Sequence, residues 1–294
     1  MNTVVIGGLG FLGSATVREL LARGSRVTVM DRRASPSTCA GLFGPGVVNA
    51  VAGDARDRDV LLQVLHRTSE VYNFAGAVGT SELDDDPLRA IENNVSSAVA
   101  VLDAALECGV EAVFYPSKPN VWLNTYTITK YAAEQFCALY AARGLRVHTL
   151  RYFNAYGPGQ ATGPVRKIIP TFARQAASGA DLTVYGDGEQ TVDMVYSQDL
   201  SRITVDVMRA GTAHDAIDCG RGVALTVNQV AADVAAHFGG RSRIVHVPMR
   251  AGETPGTRLV ADVAPLERLL GKVCFADWRE SLATTLDWYA GMGQ

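Results

Sequence analysis

Thr3-Val-Val-Ile6-Gly7-Gly-Leu-Gly10-Phe-Leu-Gly13 is followed by a helix-like run, Ser14 to Arg23, that stops at Gly24. A second strand-like run, Arg26-Val-Thr-Val-Met30, then ends at Asp31. The β-branched residues before Gly7 suit a short strand, and the glycines mark a tight turn into a helix. Strand, glycine turn, helix, strand and acid within about thirty residues form the pattern of a dinucleotide cradle. Each part has a physical task. Gly7 permits the turn. Gly10 lets backbone N–H groups approach a pyrophosphate at the helix N-terminus, with Phe11 and Leu12 beside it in the glycine turn. Gly13 lets helix and strand pack closely. Asp31 accepts hydrogen bonds from adenosine ribose hydroxyls and repels a 2′-phosphate, which favours NAD over NADP. Arg32 and Arg33, next in the chain, leave NADP as the alternative.

Outward from this stretch the alternation continues. Gly46–Ala52 reads as a strand, Asp57–Arg67 as a helix, Glu70–Ala75 as a strand and Pro87–Cys108 as a long helix. Glu111–Tyr115 reads as a strand, Tyr126–Arg143 as a helix and Leu145–Arg151 as a sixth strand. Strands separated by helices mean parallel βαβ units with right-handed crossovers. The expected fold is α/β, a Rossmann-type doubly wound parallel sheet with a smaller, discontinuous C-terminal substrate domain. After Arg151 glycines and prolines crowd the chain, as in Gly157-Pro-Gly and Gly186-Asp-Gly188. The expected division is a cofactor domain over 1–155, with segments returning to it near 191–222, and a substrate domain over 156–190 and 223–294. Gln198–Met208 reads as a returning helix, Ala216–Cys219 as a returning strand and Trp278–Tyr289 as a closing amphipathic helix. No repeat or low-complexity linker interrupts the chain.

Tyr126-Thr-Ile-Thr-Lys130 opens a run without Gly or Pro. Helical spacing puts the phenol and the ammonium on one face, roughly 5–6 Å apart at Cβ. A phenol has a reference pKa of about 10. A nearby ammonium, or the positive ring of an oxidised nicotinamide, favours the phenolate. Such a pair takes a proton from an alcohol while a hydride leaves the carbon. A surface lysine one turn after a half-buried tyrosine is the bland alternative, and the glycine cradle weighs against it.

Composition excludes several classes. The chain has 294 residues, 48% hydrophobic and 19% charged, with a formal net charge of −3. That is ordinary for a globular protein and gives no reason to expect nucleic acid or an anionic membrane as partner. No apolar run reaches the length of a membrane span, and Val4-Val5-Ile6 is too short for a secretory core. The five cysteines form no CxxC motif, so free thiols in a reducing cytoplasm are expected. The histidines at 66, 148, 214, 237 and 246 have no ligand spacing, so no metal is expected. Asp84-Asp-Asp86 reads as a solvated helix start.

At this point the chain resembles the extended short-chain dehydrogenase/reductase family, in its NAD-dependent nucleotide-sugar epimerase/dehydratase group. Besides Gly7, Gly10, Gly13 and Asp31, the likeness rests on Gly53-Asp54-Ala55, similar to the adenine-binding turn, and on Tyr72-Asn-Phe74-Ala75-Gly76, similar to the segment along the cofactor. Asn94 sits where the family has its helix asparagine. Tyr126 and Lys130 match the catalytic pair. Arg151-Tyr152-Phe-Asn154, Leu182-Thr-Val-Tyr-Gly-Asp-Gly188 and Arg250-Ala-Gly-Glu253 match later signatures. The resemblance implies NAD oxidising a sugar carbon, with Tyr126 as base. It implies that Lys130 lowers the phenol's pKa and, with Tyr152, borders the cofactor, and that Asn154, Arg250 and Glu253 lie against the nucleotide diphosphate. It also implies a homodimer paired through helices Pro87–Cys108 and Tyr126–Arg143, where Ala98, Ala104 and Ala133 permit close packing.

Three departures matter. Aligning Val121-Trp122 with the family's Val-Tyr puts Lys118 where a Ser or Thr binds the reacting oxygen, leaving Ser117 one residue off register and Thr125 as a further candidate. The segment from Ser117 to Tyr126 is shorter than the family's, which predicts a more open site. Val192 replaces the family's arginine in Gln190-Thr-Val-Asp193, with Arg166 or Lys167 as compensation. Where sugar dehydratases carry an Asp-Glu pair, this chain has Pro119-Asn120, which disfavours protonating a leaving hydroxyl. The expected activity is a UDP-glucose 4-epimerase-like reaction. A net dehydrogenase, reductase or dehydratase on a nucleotide-linked or smaller polar substrate is a second reading, and a cofactor-binding protein with weak or no catalysis a third.

Overall fold

A computed structural model describes residues 1–211, 215–250 and 253–291. His214, and Ala251-Gly252 of the Arg250–Glu253 signature, lie outside the described residues.

Strands β1 (Asn2–Ile6), β2 (Arg26–Asp31), β3 (Asn49–Ala52), β4 (Glu70–Asn73), β5 (Ala112–Ser117) and β6 (Arg146–Tyr152) lie side by side in the order β6-β5-β4-β1-β2-β3. Ile217–Cys219 adds a seventh strand beside β6, with Ile217 opposite Leu150. Every pairing in this sheet is parallel. β1 carries Val4, Val5 and Ile6, all buried, because helices cover both faces of a parallel sheet. On one face Val17 and Leu20 of α1 (Phe11–Ala22) pack with Val205 and Met208 from the Ser197–Arg209 helix. On the other face Leu61, Val101, Leu102 and Tyr140 close a second core. Strand order reverses between β4 and β1, so a crevice opens at their carboxyl ends, where open α/β sheets bind ligands.

A third core lies beyond the sheet. Tyr156, Phe172, Val230, Trp278 and Leu286 meet there under the Ile168–Ala177, Val227–His237 and Trp278–Gly291 helices, with the Tyr156 and Trp278 rings edge to face at 5.3 Å. Short strand pairs rather than an extended sheet support it, including Leu182–Tyr185 alongside Ile244–Val247.

Several elements differ from the sequence reading. α1 begins at Phe11, not Ser14, because Gly10 already has the extended backbone of an N-cap. Gly46 has φ +70 and sits in a turn, so β3 starts only at Asn49. The long helix after Pro87 is broken into Pro87–Ile91 and Ser97–Glu107 by a π turn over Glu92–Ser96. That wider turn carries Asn94, and such turns cluster where a side chain has a special task. A helix over Pro36–Phe43 has no counterpart in the reading; Ser35 and Thr38 form its capping box and Pro36 its first residue. The Asp84–Asp86 acids are exposed at a helix start, as expected, and two of them also make hydrogen bonds. Asp86 accepts the Arg89 N–H at 3.1 Å, and Asp84 accepts the Thr125 N–H at 2.8 Å, which ties this segment to the next helix.

Candidate active site

The glycine turn is packed to its limit. Gly7 has φ +75, and a Cβ there would lie 2.8 Å from the Phe74 carbonyl carbon. A Cβ on Gly13 would lie 2.3 Å from the Gly7 oxygen, which also accepts the Gly10 N–H at 3.0 Å. No side chain caps α1, so its N-terminal N–H groups face the crevice. The crevice is two joined cavities. One, of about 390 Å³, is walled by Asp31, Arg32, Gly53, Asp54 and Ala55; the other, of about 520 Å³, holds Phe11, Leu12 and Gly13 at its mouth. Gly7, Gly10, Phe74, Ala75 and Gly76 line both. Asp31 spends one oxygen on the Arg33 N–H at 3.0 Å, leaving the other for a ribose. The Arg56 guanidinium beside Asp54 holds that carboxyl at about 2. A cradle with no room for a Cβ, an open helix N-terminus and an acid at the end of β2 fit an adenine dinucleotide.

The chemistry sits in the larger cavity. β5 delivers Ser117, and seven residues later Asn124 caps the Thr125–Ala142 helix by accepting the Thr127 N–H at 2.8 Å. One helical turn then brings Tyr126 and Lys130 to the same wall. Their electrostatics run opposite to the sequence expectation. The Lys130 ammonium lies 4.0 Å from the Tyr115 ring centroid, and burial pushes it down to about 7. Burial alone pushes the Tyr126 phenol up to about 12. Desolvation disfavours the charged form of each.

The Lys118 ammonium lies 5.7 Å from the Tyr126 ring centroid and 5.8 Å from that of Trp122. It donates to the Pro119 carbonyl at 2.6 Å and to Thr127 Oγ1 at 2.8 Å. Burial, with Lys167 adding repulsion, lowers it to about 8. Ser117 also lines this cavity; its Oγ is buried without a protein partner. Ser117 and Lys118 thus both reach the site despite adjacent positions, because β5 ends between them.

Tyr152 and Asn154 line the same cavity, and the Tyr152 hydroxyl is bonded to Thr204 Oγ1. Asn94 lines neither cavity. It stands behind the wall, accepting the Ala77 N–H at 2.6 Å and donating to Thr129 Oγ1 at 3.0 Å. Val192 is buried in the third core opposite Leu225. Thr125 contributes its backbone to Asp84 and does not line the cavity. Arg250 lies outside the cavity lining, 3.6 Å from Glu82 and 3.5 Å from Glu253, with its guanidinium 5.6 Å from the Tyr185 ring centroid. Trp122, Gln160 and Leu259 line the cavity without having been singled out in the sequence. Trp122 anchors the short loop through Nε1 to Thr257 Oγ1 at 3.1 Å, a contact no local pattern announces. Among the described residues the larger cavity is lined by Lys118, Lys130 and Lys167 and by no Asp or Glu. Among the described residues no cluster of His, Cys, Asp or Glu is arranged to hold a metal, and no helix is long and apolar enough to cross a membrane.

Comparison with known proteins agrees with this geometry. The chain is 28% identical to a UDP-N-acetyl-alpha-D-glucosaminuronate decarboxylase of Bacillus cytotoxicus, with 97% of each chain covered. It is 29% identical to a UDP-glucose 4-epimerase of Rhizobium leguminosarum bv. trifolii, covering 100% of this chain and 98% of the other. The structure of MoeE5 in complex with UDP-glucuronic acid and NAD is 28% identical and superposes with a TM-score of 0.88, over 99% of this chain and 100% of that one. The sequence profile of the NAD dependent epimerase/dehydratase family matches residues 3–220. The protein is a nucleotide-sugar epimerase/dehydratase-type, NAD-using member of that family, to which the chain belongs.

Proposed function

We propose that the chain is a UDP-sugar epimerase that acts by transient oxidation of a sugar carbon. The observation that carries this over dehydration is the cavity wall, where no carboxylic acid stands ready to protonate a leaving hydroxyl. NAD, when bound, supplies the oxidant that makes the ketone and the reductant that removes it again. Gly7, Gly10 and Gly13, with Phe11 and Leu12, hold its pyrophosphate. Asp31 and Arg32 meet the adenosine ribose, Asp54 and Ala55 the adenine, and Phe74, Ala75, Gly76 and Tyr152 the remainder.

Tyr126 takes the proton of the sugar hydroxyl as the carbon is oxidised, and gives a proton back to that same oxygen when the carbon is reduced on its opposite face. For that its phenol must fall from about 12, so positive charge has to be close when substrate is present. Lys130, 118 and the nicotinamide ring are the available cations. Ser117 Oγ, buried without a protein partner, donates to the reacting oxygen. Asn154, Lys167, Arg250 and Glu253 border the nucleotide diphosphate, and a guanidinium such as Arg250 forks onto phosphate oxygens. The same reading makes the enzyme a cytoplasmic homodimer, paired over the exposed Leu88, Ile91, Ile128 and Leu139 of the Pro87–Ile91 and Thr125–Ala142 helices.

The test is product analysis by NMR and mass spectrometry, with UDP-sugars and NAD supplied. An equal-mass product with one inverted centre is expected, and Tyr126→Phe lowers its rate by about 10²–10⁴. Full activity in that variant overturns the mechanism, and accumulation of NADH converts the reading to net oxidoreduction.

A further inference from the structure

We infer that the sugar handled here carries a carboxylate, as in a uronic acid, and that Lys118 is the residue that reads it. The inference rests on the nucleotide-sugar reading and narrows it to one substrate class. The cavity that holds Tyr126 contains three ammonium groups and no carboxylate. The three are not equivalent. Lys130 stacks on the Tyr115 ring at 4.0 Å and has Glu134 nearby. Lys167 feels Glu82 and Glu253, which also flank Arg250. Among the described residues no carboxylate pairs with Lys118; the charges coupled to it are the like charges of Lys167 and Lys130.

Lys118 is partly buried, and removing an ammonium from water without a counter-ion is costly, a cost that an anionic ligand offsets. An ammonium has three N–H donors. Pro119 O and Thr127 Oγ1 take two of them and hold the group in place, so a third remains for a ligand. The place also fits. Lys118 stands 5.7 Å from the ring of the base Tyr126, and so faces the sugar end of the cavity. Lys167 and Arg250 have glutamates beside them, Glu82 and Glu253, and are the groups assigned above to the diphosphate. An anion beside Lys118 is therefore a second negative charge, carried on the sugar itself. Residues 118–124 form the short connection from β5 to the next helix, and Trp122 pins it to Thr257. This brings Lys118 to the cavity where a longer loop would put other side chains between it and the substrate.

UDP-glucose and UDP-glucuronic acid differ only in having CH2OH or carboxylate at C6, and they make the test. Each, together with free UDP, is titrated calorimetrically into the NAD-loaded enzyme and into Lys118→Met and Lys118→Arg. A charge-assisted hydrogen bond predicts that the wild type binds the uronate roughly ten- to hundredfold more tightly than the hexose. Lys118→Met brings that ratio to about one and leaves free UDP binding unchanged, while Lys118→Arg keeps a preference. A wild-type ratio near one overturns the inference, as does a preference that survives in Lys118→Met. Equal weakening of free UDP in Lys118→Met overturns it as well, by making Lys118 a diphosphate contact. If free UDP and both UDP-sugars fail to bind wild type that holds NAD, the nucleotide-sugar reading itself falls. That outcome is separate from a lost preference between two ligands that both bind.

Discussion

Adding one methyl group at Gly13 tests the cradle most directly. An ideal Cβ at this position lies 2.3 Å from the Gly7 carbonyl oxygen and 3.0 Å from both the Gly7 carbonyl carbon and Gly8 Cα. To reach the 3.4 Å of ordinary contact, α1 and the turn must separate by about 1 Å. Neither side can give cheaply. The turn is backed by the Phe74 and Ala75 backbone, which would stand only 2.8–2.9 Å from a Cβ on Gly7. α1 is held in turn by buried Val17 and Leu20. Overpacking of this kind costs about 1–3 kcal/mol, and alanine in place of glycine in a helix returns up to about 1 kcal/mol. Gly13→Ala is therefore expected to lose about 1–2 kcal/mol net, a fall in Tm of a few degrees for a chain of this size. NAD binding suffers further, because the Gly7 oxygen that must move also fixes the Gly10 N–H. A loss of about tenfold or more in NAD affinity is expected, since each 1.4 kcal/mol is a factor of ten. Gly41→Ala is the control: Gly41 lies within the Pro36–Phe43 helix with nothing within 4 Å of its would-be Cβ. The same chemical change should stabilise there by about 0.5–1 kcal/mol. Urea unfolding and NAD titration of both variants read the result. Wild-type stability and NAD affinity in Gly13→Ala would refute the packing argument.

Asn94→Ala removes the acceptor of the Ala77 N–H and the partner of Thr129. The expected cost is about 1–3 kcal/mol for a buried group left unpaired, with faster hydrogen exchange at Ala77; a change below about 0.5 kcal/mol would make the bridge irrelevant to stability. The pH dependence follows from Lys130, whose folded value of about 7 lies below the ordinary lysine value of 10.5. Between those values the unfolded chain binds more protons, so this lysine's contribution makes stability rise with pH and its penalty is complete below about 7. The thiols of buried Cys39, Cys137 and Cys219 and of half-buried Cys108 are raised and act in the opposite direction above the ordinary thiol value. The difference between wild type and Lys130→Met isolates the lysine. Wild-type stability relative to that variant should increase from pH 7 to pH 10 in urea titrations, and a constant difference would show that Lys130 is not desolvated.

Local chemistry decided much of this protein. Gly7, Gly10 and Gly13 declare themselves in sequence because the requirement they meet is a close backbone approach, which only a missing Cβ allows. The parallel sheet follows from strands separated by helices, since parallel neighbours need a crossover. Tyr126 and Lys130 share a wall because they are one helical turn apart, and that turn is a property of the backbone alone. Tertiary structure decided the charges. Spacing puts Lys130 one turn from the Tyr126 phenol, but it does not give the burial that acts on each group or the Tyr115 ring, distant by sequence, beneath the ammonium. Asn94 likewise matched a motif, yet only the π turn shows that it braces the wall from behind instead of facing the cavity. The neighbours of Lys118 come from several stretches of chain, Trp122, Thr127 and Lys167 among them. Whether an ammonium finds a counter-ion depends on which of these the fold assembles around it. Spacing along a chain specifies what lies within one turn or one strand; desolvation and long-range charge depend on everything packed around a group, and that is settled only when the chain has folded.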